Sequence, residues 1–242
     1  MAHFYLLENL KTTQVGAIVI LDGSEGRHAS TVSRVRVGER LAIGNGRGLM
    51  LGAEVLSSSK ATVELSVTSV ELTERESPAI VLVQGLAKTD RDERAVEACT
   101  ELGISAVIPW AADRSVSKWE GPKVDKGIAR WAAIVREATK QSIRPFLPEV
   151  GPHLKSSQLG TALQGMNVLV LDPTGEESLS EVKLDGRDIA LVVGPEGGIS
   201  EHELTRFTEE GAHIVKMGTN ILRTSTAGPA ALAILNAKLG RC

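Results

Sequence analysis

The sequence predicts an α/β domain with a mainly parallel sheet, preceded by a small N-terminal β-barrel. Three observations carry that expectation. Up to Leu72 the chain reads as many short strands separated by turns, the habit of a small barrel. After a charged, proline-ended stretch, Thr73-Glu-Arg-Glu-Ser-Pro78, strands become unbroken apolar runs, as expected where both faces are covered. From there strands alternate with helical patterns, the signature of a parallel sheet wrapped by helices. The 242 residues, 42% hydrophobic and 24% charged, suit two modest domains and argue against disorder. The predicted boundaries are 1–73 and 74–242.

In the first part, Ile18–Leu21, Arg40–Ile43, Leu49–Leu51 and Ala61–Val67 are strand-like. Asn45-Gly46-Arg47-Gly48 is a hairpin turn, since Asn and Gly tolerate positive φ. Ser57–Lys60 marks another turn, and one helix is expected around Gly26–Val35. In the second part the first strand is Ala79–Val83. A helix follows at Asp90–Leu102, with Asp90 as its cap and Gly103 as its stop. Next come the strand Ala106–Pro109 and a long helix Val124–Ser142, with Ile128, Trp131, Ala132 and Val135 on its apolar stripe. Strands at Asn167–Leu171, Ile189–Val193 and His213–Lys216 follow, with helices at Ser200–Glu210 and Ala227–Leu239.

Charge excludes little. The formal net charge is −3, and only Gln84–Arg144 leans basic, with 11 basic against 9 acidic residues. An RNA partner must therefore be argued from local patches. No apolar run reaches the ~18 residues of a membrane span, and no secretory pattern opens the chain. Two cysteines, Cys99 and Cys242, make no disulfide framework, so the expectation is a reduced, cytoplasmic protein. Cys99 falls in an apolar pattern and reads as a buried small hydrophobe.

Three loops follow the carboxyl ends of the last three strands, where open α/β sheets bind ligands. They are Asp172–Gly175, Gly194-Pro-Glu-Gly-Gly-Ile-Ser200 and Met217–Ala227. The second holds three glycines in five residues, which lets a backbone approach a ligand closely, and a proline that fixes one turn. The plainer reading is a tight strand-to-helix turn, with Ser200 as N-cap and Glu203 at the capping-box position. Glu196 is harder to explain as turn chemistry. Neither G-x-G-x-x-G nor G-x-x-x-x-G-K-[ST] occurs where it would signal nucleotide binding. The five histidines form no ligand cluster, so no metal is expected. No G-x-S-x-G elbow appears.

Several segments in order resemble one family. They are Arg27-His28 with Val32-Ser-Arg-Val-Arg36 and Gly38-Glu39; Asn45–Gly48; Lys88, Thr100–Gly103 and Pro109; Arg114-Ser115; and Arg136–Ala138 with Gln141-Ser142 and Arg144. The most diagnostic are Gly194–Gly198 with Glu203, and Ile221–Thr224 with Thr226-Ala227. Over nearly its whole length the chain resembles the bacterial 16S ribosomal RNA uridine-N3 methyltransferases, of the SPOUT class. It departs at one position: Ser225 stands where the family usually has a glutamate, and its hydroxyl is expected to support the loop by hydrogen bonding.

The resemblance implies a PUA-like RNA-gripping barrel and a trefoil-knotted α/β domain that binds S-adenosylmethionine, with no metal. It implies a homodimer acting on 16S rRNA in the small ribosomal subunit, with no membrane and no DNA partner. The donor would be held by Leu171, Pro173, Gly194, Pro195, Gly197, Gly198, Met217, Gly218, Ile221 and Leu222. Met217, Ile221 and Leu222 are equally open to plain core packing. The catalytic candidates are Arg223 and Glu196. Arg223 would face the base or its phosphate, or else pair with a helix acid. Glu196 would orient the loop through backbone amides, or accept a proton. Arg27, Arg34, Arg36, Lys88, Arg114 and Arg144 would contact RNA, with Arg34 and Arg36 pointing the same way from an extended segment; an ordinary solvated charge is the alternative at Arg34, Arg36, Arg114 and Arg144. Two other enzyme readings stand beside this one, a related knotted methyltransferase acting on a ribose 2′-hydroxyl or on a tRNA base. A third reading is a ribosome-assembly factor that binds RNA without turnover.

Overall fold

The computed structural model describes residues 3–241, so Cys242 lies outside the described residues. The chain divides into two compact units, one formed by Met1–Arg75 with Thr139–Leu147 and the other by Glu76–Ala138 with Pro148–Cys242.

The first unit is a curled half-barrel. Its strands are β1 (Phe4–Leu6), β2 (Ile18–Leu21), β3 (Arg40–Gly44), β4 (Leu49–Ser58) and β5 (Val63–Leu72), in the order β1-β3-β4-β5-β2. β1 runs parallel to β3, and the other pairings are antiparallel. Alternate residues of β4 and β5 point inward, so Leu51, Ala53, Val55, Leu65 and Val67 join Tyr5, Leu21 and Ile43 in one core. The predicted turn at Asn45–Gly48 is present: the Asn45 side-chain oxygen accepts from the Arg47 and Leu49 amides. β4 continues through Ser58, so the next turn falls at Ser59–Thr62, later than the sequence suggested. The expected single helix is a short α1 (Gly23–Arg27) that widens into one π turn at His28–Val32. Arg34 then takes a left-handed φ of 53°, so the segment carrying Arg34 and Arg36 is bent there rather than extended. Residues 139–147 complete this unit. Lys140 and Glu25 form a buried ion pair at 3.3 Å, and Leu147 and Phe146 pack beside Gly46 and Gly48.

The second unit is a parallel sheet covered by helices. Its strands are β6 (Ile80–Gly85), β7 (Ala106–Ala111), β8 (Glu149–Val150), β9 (Leu154–Lys155), β10 (Asn167–Leu171), β11 (Glu177–Ser178), β12 (Ile189–Val193) and β13 (His213–Lys216). Their order is β11-β13-β10-β12-β6-β7-β8, with β9 also on β7, and every pairing is parallel. β12 is buried along its whole length, which explains its continuous apolar sequence. The helices are α2 (Arg91–Glu101), α3 (Pro122–Gln141), α4 (Ser156–Ala162), α5 (Glu201–Glu209) and α6 (Thr224–Lys238). Asp90 precedes α2 but does not cap it; its carboxylate pairs with Arg94 instead. Asp92 does the local work, accepting from the Ala87 and Glu93 amides, and burial raises its pKa above the ordinary carboxylate value.

α2 and α6 meet at Cys99 and Gly228. Cys99 is fully buried, and desolvation pushes its thiol pKa up. A Cβ at Gly228 would lie 3.2 Å from Cys99 Sγ. Gly228→Val should therefore cost about 1–3 kcal/mol through overpacking. Denaturant unfolding checks this, and adding Cys99→Ala should recover part of the loss.

Candidate functional site

β13, β10 and β12 are neighbours and parallel, so the loops after them leave the same end of the sheet. The three loops meet in a cleft of about 720 Å³, bounded by Leu171–Thr174, Val193–Ile199 and Ile221–Thr224, with Arg91, Arg114 and Glu201 at its edges. A smaller adjoining cavity of about 80 Å³ adds Met217 and Gly218. All ten residues expected to hold the donor thus line one or both of these two cavities, which share Leu171, Pro173, Ile221 and Leu222. The size of the larger falls within the ~300–1,000 Å³ of small-molecule sites.

The loop after β12 is shaped by contacts on both sides. Gly198 has a φ of 74°, which the turn requires. Gly197 is glycine for another reason: a Cβ there would sit 2.9 Å from the Arg114 carbonyl oxygen. Ser200 caps α5 as predicted; its hydroxyl accepts from the Glu203 amide while Glu203 Oε2 accepts from the Ser200 amide. Glu203 does more than cap. It is 1% exposed, and its Oε1 also accepts from the Asp113 amide at 2.8 Å and the Ser156 hydroxyl at 2.6 Å. The same Ser156 hydroxyl receives the Trp110 indole N–H, and Ser200 Oγ donates to Asp113 Oδ2. One buried carboxylate therefore joins the β7–α3 loop, the start of α4 and the start of α5.

The third loop is shorter than expected, because α6 begins at Thr224 and Arg223 is its N-cap residue. Thr224 Oγ1 donates to the Gly194 carbonyl (2.8 Å) and accepts from Gln84 Nε2 (2.9 Å). This pins the start of α6 between β6 and the loop after β12. The Ser225 hydroxyl makes no hydrogen bond among the described residues, contrary to the expectation for it; the neighbouring Thr224 supplies one. Ile221 is 81% exposed and Leu222 36%, which sets aside core packing for Ile221.

Among the catalytic candidates, Arg223 is exposed and its side chain has no ion pair among the described residues. The pairing with a helix acid is thus absent. Glu196 Oε1 accepts from the Lys88 amide (2.9 Å) and from Arg91 Nη1 (3.1 Å). Arg114 donates to the Gly197 carbonyl at 3.3 Å, so it borders the cleft. Lys88 is exposed on the β6–α2 turn. Arg27, Arg34, Arg36 and Arg144 belong to the first unit, the first three exposed and Arg144 half-buried. Sequence reasoning missed Arg91, Gln84 and Thr224. Arg91 also follows a strand's carboxyl end, and Gln84 is a lone polar residue closing an apolar strand; either feature would have singled them out.

This cleft, on a parallel sheet, places the second unit among the RNA methyltransferases: residues 74–236 match the family described as RNA methyltransferase domain. The ribosomal RNA small subunit methyltransferase E of Mycobacterium tuberculosis is 36% identical, covering 100% of this chain and 94% of its own. That of Bacillus subtilis is 32% identical over 89% and 88%. The crystal structure of the Neisseria gonorrhoeae enzyme bound to S-adenosyl methionine superposes with a TM-score of 0.87, at 30% identity and 98% coverage of each chain. The chain belongs to the ribosomal RNA small subunit methyltransferase E family.

Removing the Glu203 carboxylate takes the acceptor from three partly buried donors, the Asp113 and Ser200 amides and the Ser156 hydroxyl. Glu203→Ala should cost roughly 3 kcal/mol in urea unfolding. Glu203→Gln should fall between that and the parent, since its amide nitrogen must face one of the donors.

Proposed function

We propose that the protein transfers a methyl group from S-adenosylmethionine to N3 of a specific uridine in 16S rRNA of the small ribosomal subunit. The observation that carries this reading is the meeting of three glycine-bearing strand-end loops in one cleft beside Arg223, whose guanidinium has no ion pair among the described residues. The residues present fit the donor. Leu171, Pro173, Ile221 and Leu222 offer apolar surface, the loop from Gly194 to Ile199 offers main-chain groups, and no cluster of metal-ligating side chains occurs among the described residues. Bound there, the donor supplies an electrophilic methyl group on a sulfonium.

The chain's own task is positioning and charge stabilisation. Uracil N3 becomes nucleophilic only as its proton leaves, and the resulting charge spreads onto O2 and O4. Arg223 stands at the amino end of α6, where guanidinium donors and the helix dipole both favour an anion. That placement suits an oxyanion stabiliser. Lys88 and Arg114 on the second unit, and Arg27, Arg34, Arg36 and Arg144 on the first, are the groups we assign to the RNA backbone, which takes most such contacts. The three loops are read as the knot of the SPOUT fold, and the working form as a homodimer.

Two variants separate donor holding from catalysis. Gly198→Val forces a side chain into a left-handed conformation and should weaken donor affinity about tenfold or more by calorimetry. Arg223→Ala should leave donor affinity unchanged and lower kcat about 10²-fold. The substrate is tested by incubating labelled donor with small subunits from a strain lacking the modification, then digesting the RNA. N3-methyluridine is expected, and a 2′-O-methyl nucleoside would replace this reading with ribose methylation.

A further inference from the structure

Among the described residues, Arg91 is the cleft cation paired with a carboxylate. It opens α2 and places Nη1 3.1 Å from Glu196 Oε1, the oxygen that also accepts the Lys88 amide at 2.9 Å. The side chains are 38% and 23% exposed, so the pair is only partly screened. Glu196 lies between Pro195, which is buried, and Gly197, which abuts the Arg114 backbone. The glycine loop is therefore gripped from both flanks: by Glu196 to the β6–α2 turn, and by Gly197 to the β7–α3 loop. The turn that Glu196 grips also holds a non-glycine residue in the left-handed region, Thr89 at φ 61°. Such a conformation persists where the surroundings over-determine it, and the Lys88 amide bonded to Glu196 immediately precedes it. Two donors already converge on Oε1, which is the arrangement of a strut.

We propose that Arg91 is a positioning residue for methyl transfer, acting through Glu196 to hold the Gly194–Ile199 loop in its donor-binding shape, and that Glu196 is not the proton acceptor. The proposal rests on the methyltransferase reading for its consequence, while the clamp itself is measurable without donor or RNA.

Hydrogen–deuterium exchange on the donor-free protein is the first test. Arg91→Ala should speed exchange at the amides from Gly197 to Ile199 and leave β12 unchanged. Calorimetry should show donor affinity falling about fivefold, the scale of a partly exposed ion pair. With small subunits as substrate, the donor KM should rise while kcat at saturating donor stays within about twofold. Arg91→Lys should restore most of the affinity, because an ammonium can still reach Oε1. Glu196→Gln keeps an acceptor for the Lys88 amide, and its turnover should keep the parental pH profile. Arg91→Ala combined with Glu196→Ala should bind donor no worse than Glu196→Ala alone.

Unchanged exchange and donor affinity in Arg91→Ala would overturn the clamp. A Glu196→Gln variant that binds donor normally yet loses turnover would overturn the second half of the proposal, since that result makes Glu196 the proton acceptor. A parent protein that fails to bind donor sinks the methyltransferase reading instead, and the exchange result still decides the clamp.

Discussion

The cleft depends on one hydroxyl. Thr224 donates to the Gly194 carbonyl and receives the Gln84 amide, so three segments far apart in sequence share a single buried polar contact. Gln84 is fully buried, where a polar group costs free energy unless it is hydrogen-bonded; its Nε2 donates to Thr224 Oγ1 and to the Gly85 carbonyl, while its Oε1 has no partner among the described residues. That contact with Thr224 ties the start of α6 to the second loop, and Arg223, one residue earlier, is held as well by its carbonyl, which accepts from the Thr226 and Ala227 amides. The chemistry assigned to Arg223 is thus inherited from its neighbour.

The glycines of the second loop divide their labour. Sequence logic gives all of them to the approach of a ligand. In the structure Gly198 answers to its φ, while Gly197 answers to the Arg114 backbone and Gly194 to Ile199, whose Cγ1 would lie 2.8 Å from an added Cβ. The loop is packed against the Arg114 backbone at Gly197 and against its own Ile199 at Gly194, and it lines the cleft from Gly194 to Ile199. Glu203 supports the arrangement from below by holding Asp113 and Ser200 together. The result is a preorganised wall rather than a flexible flap.

Ile189–Val193 was legible because burial on both faces writes an unbroken apolar run, and Asn167–Leu171 and the half-exposed His213–Lys216 also have the limits that their sequences imply. β1, α4 and the two-residue strands β8, β9 and β11 were not foreseen, since so short a segment shows no period. The start of α6 was obscured because Thr224, Ser225 and Thr226 are weak helix formers and Pro229 lies inside the helix. The three loops could be placed at the strand ends from sequence, but their partners could not. Arg91 reaches Glu196, and Gln84 reaches Thr224, through tertiary contacts that no spacing encodes. The resemblance supplied the donor and the substrate, which the residues alone left open.

The buried pair of Lys140 and Glu25 bears on how such a chain can be taken apart. A fragment ending at Arg75 would keep every strand of the half-barrel yet lose the Lys140 ammonium from beside Glu25, and Leu147 and Phe146 from beside Gly46 and Gly48. Lone buried charges are far costlier than paired ones. The half-barrel is therefore not an autonomous module that a gene fusion could simply donate. Its completion waits on nine residues, Thr139 to Leu147, that leave the ribosome only after α2 and β7.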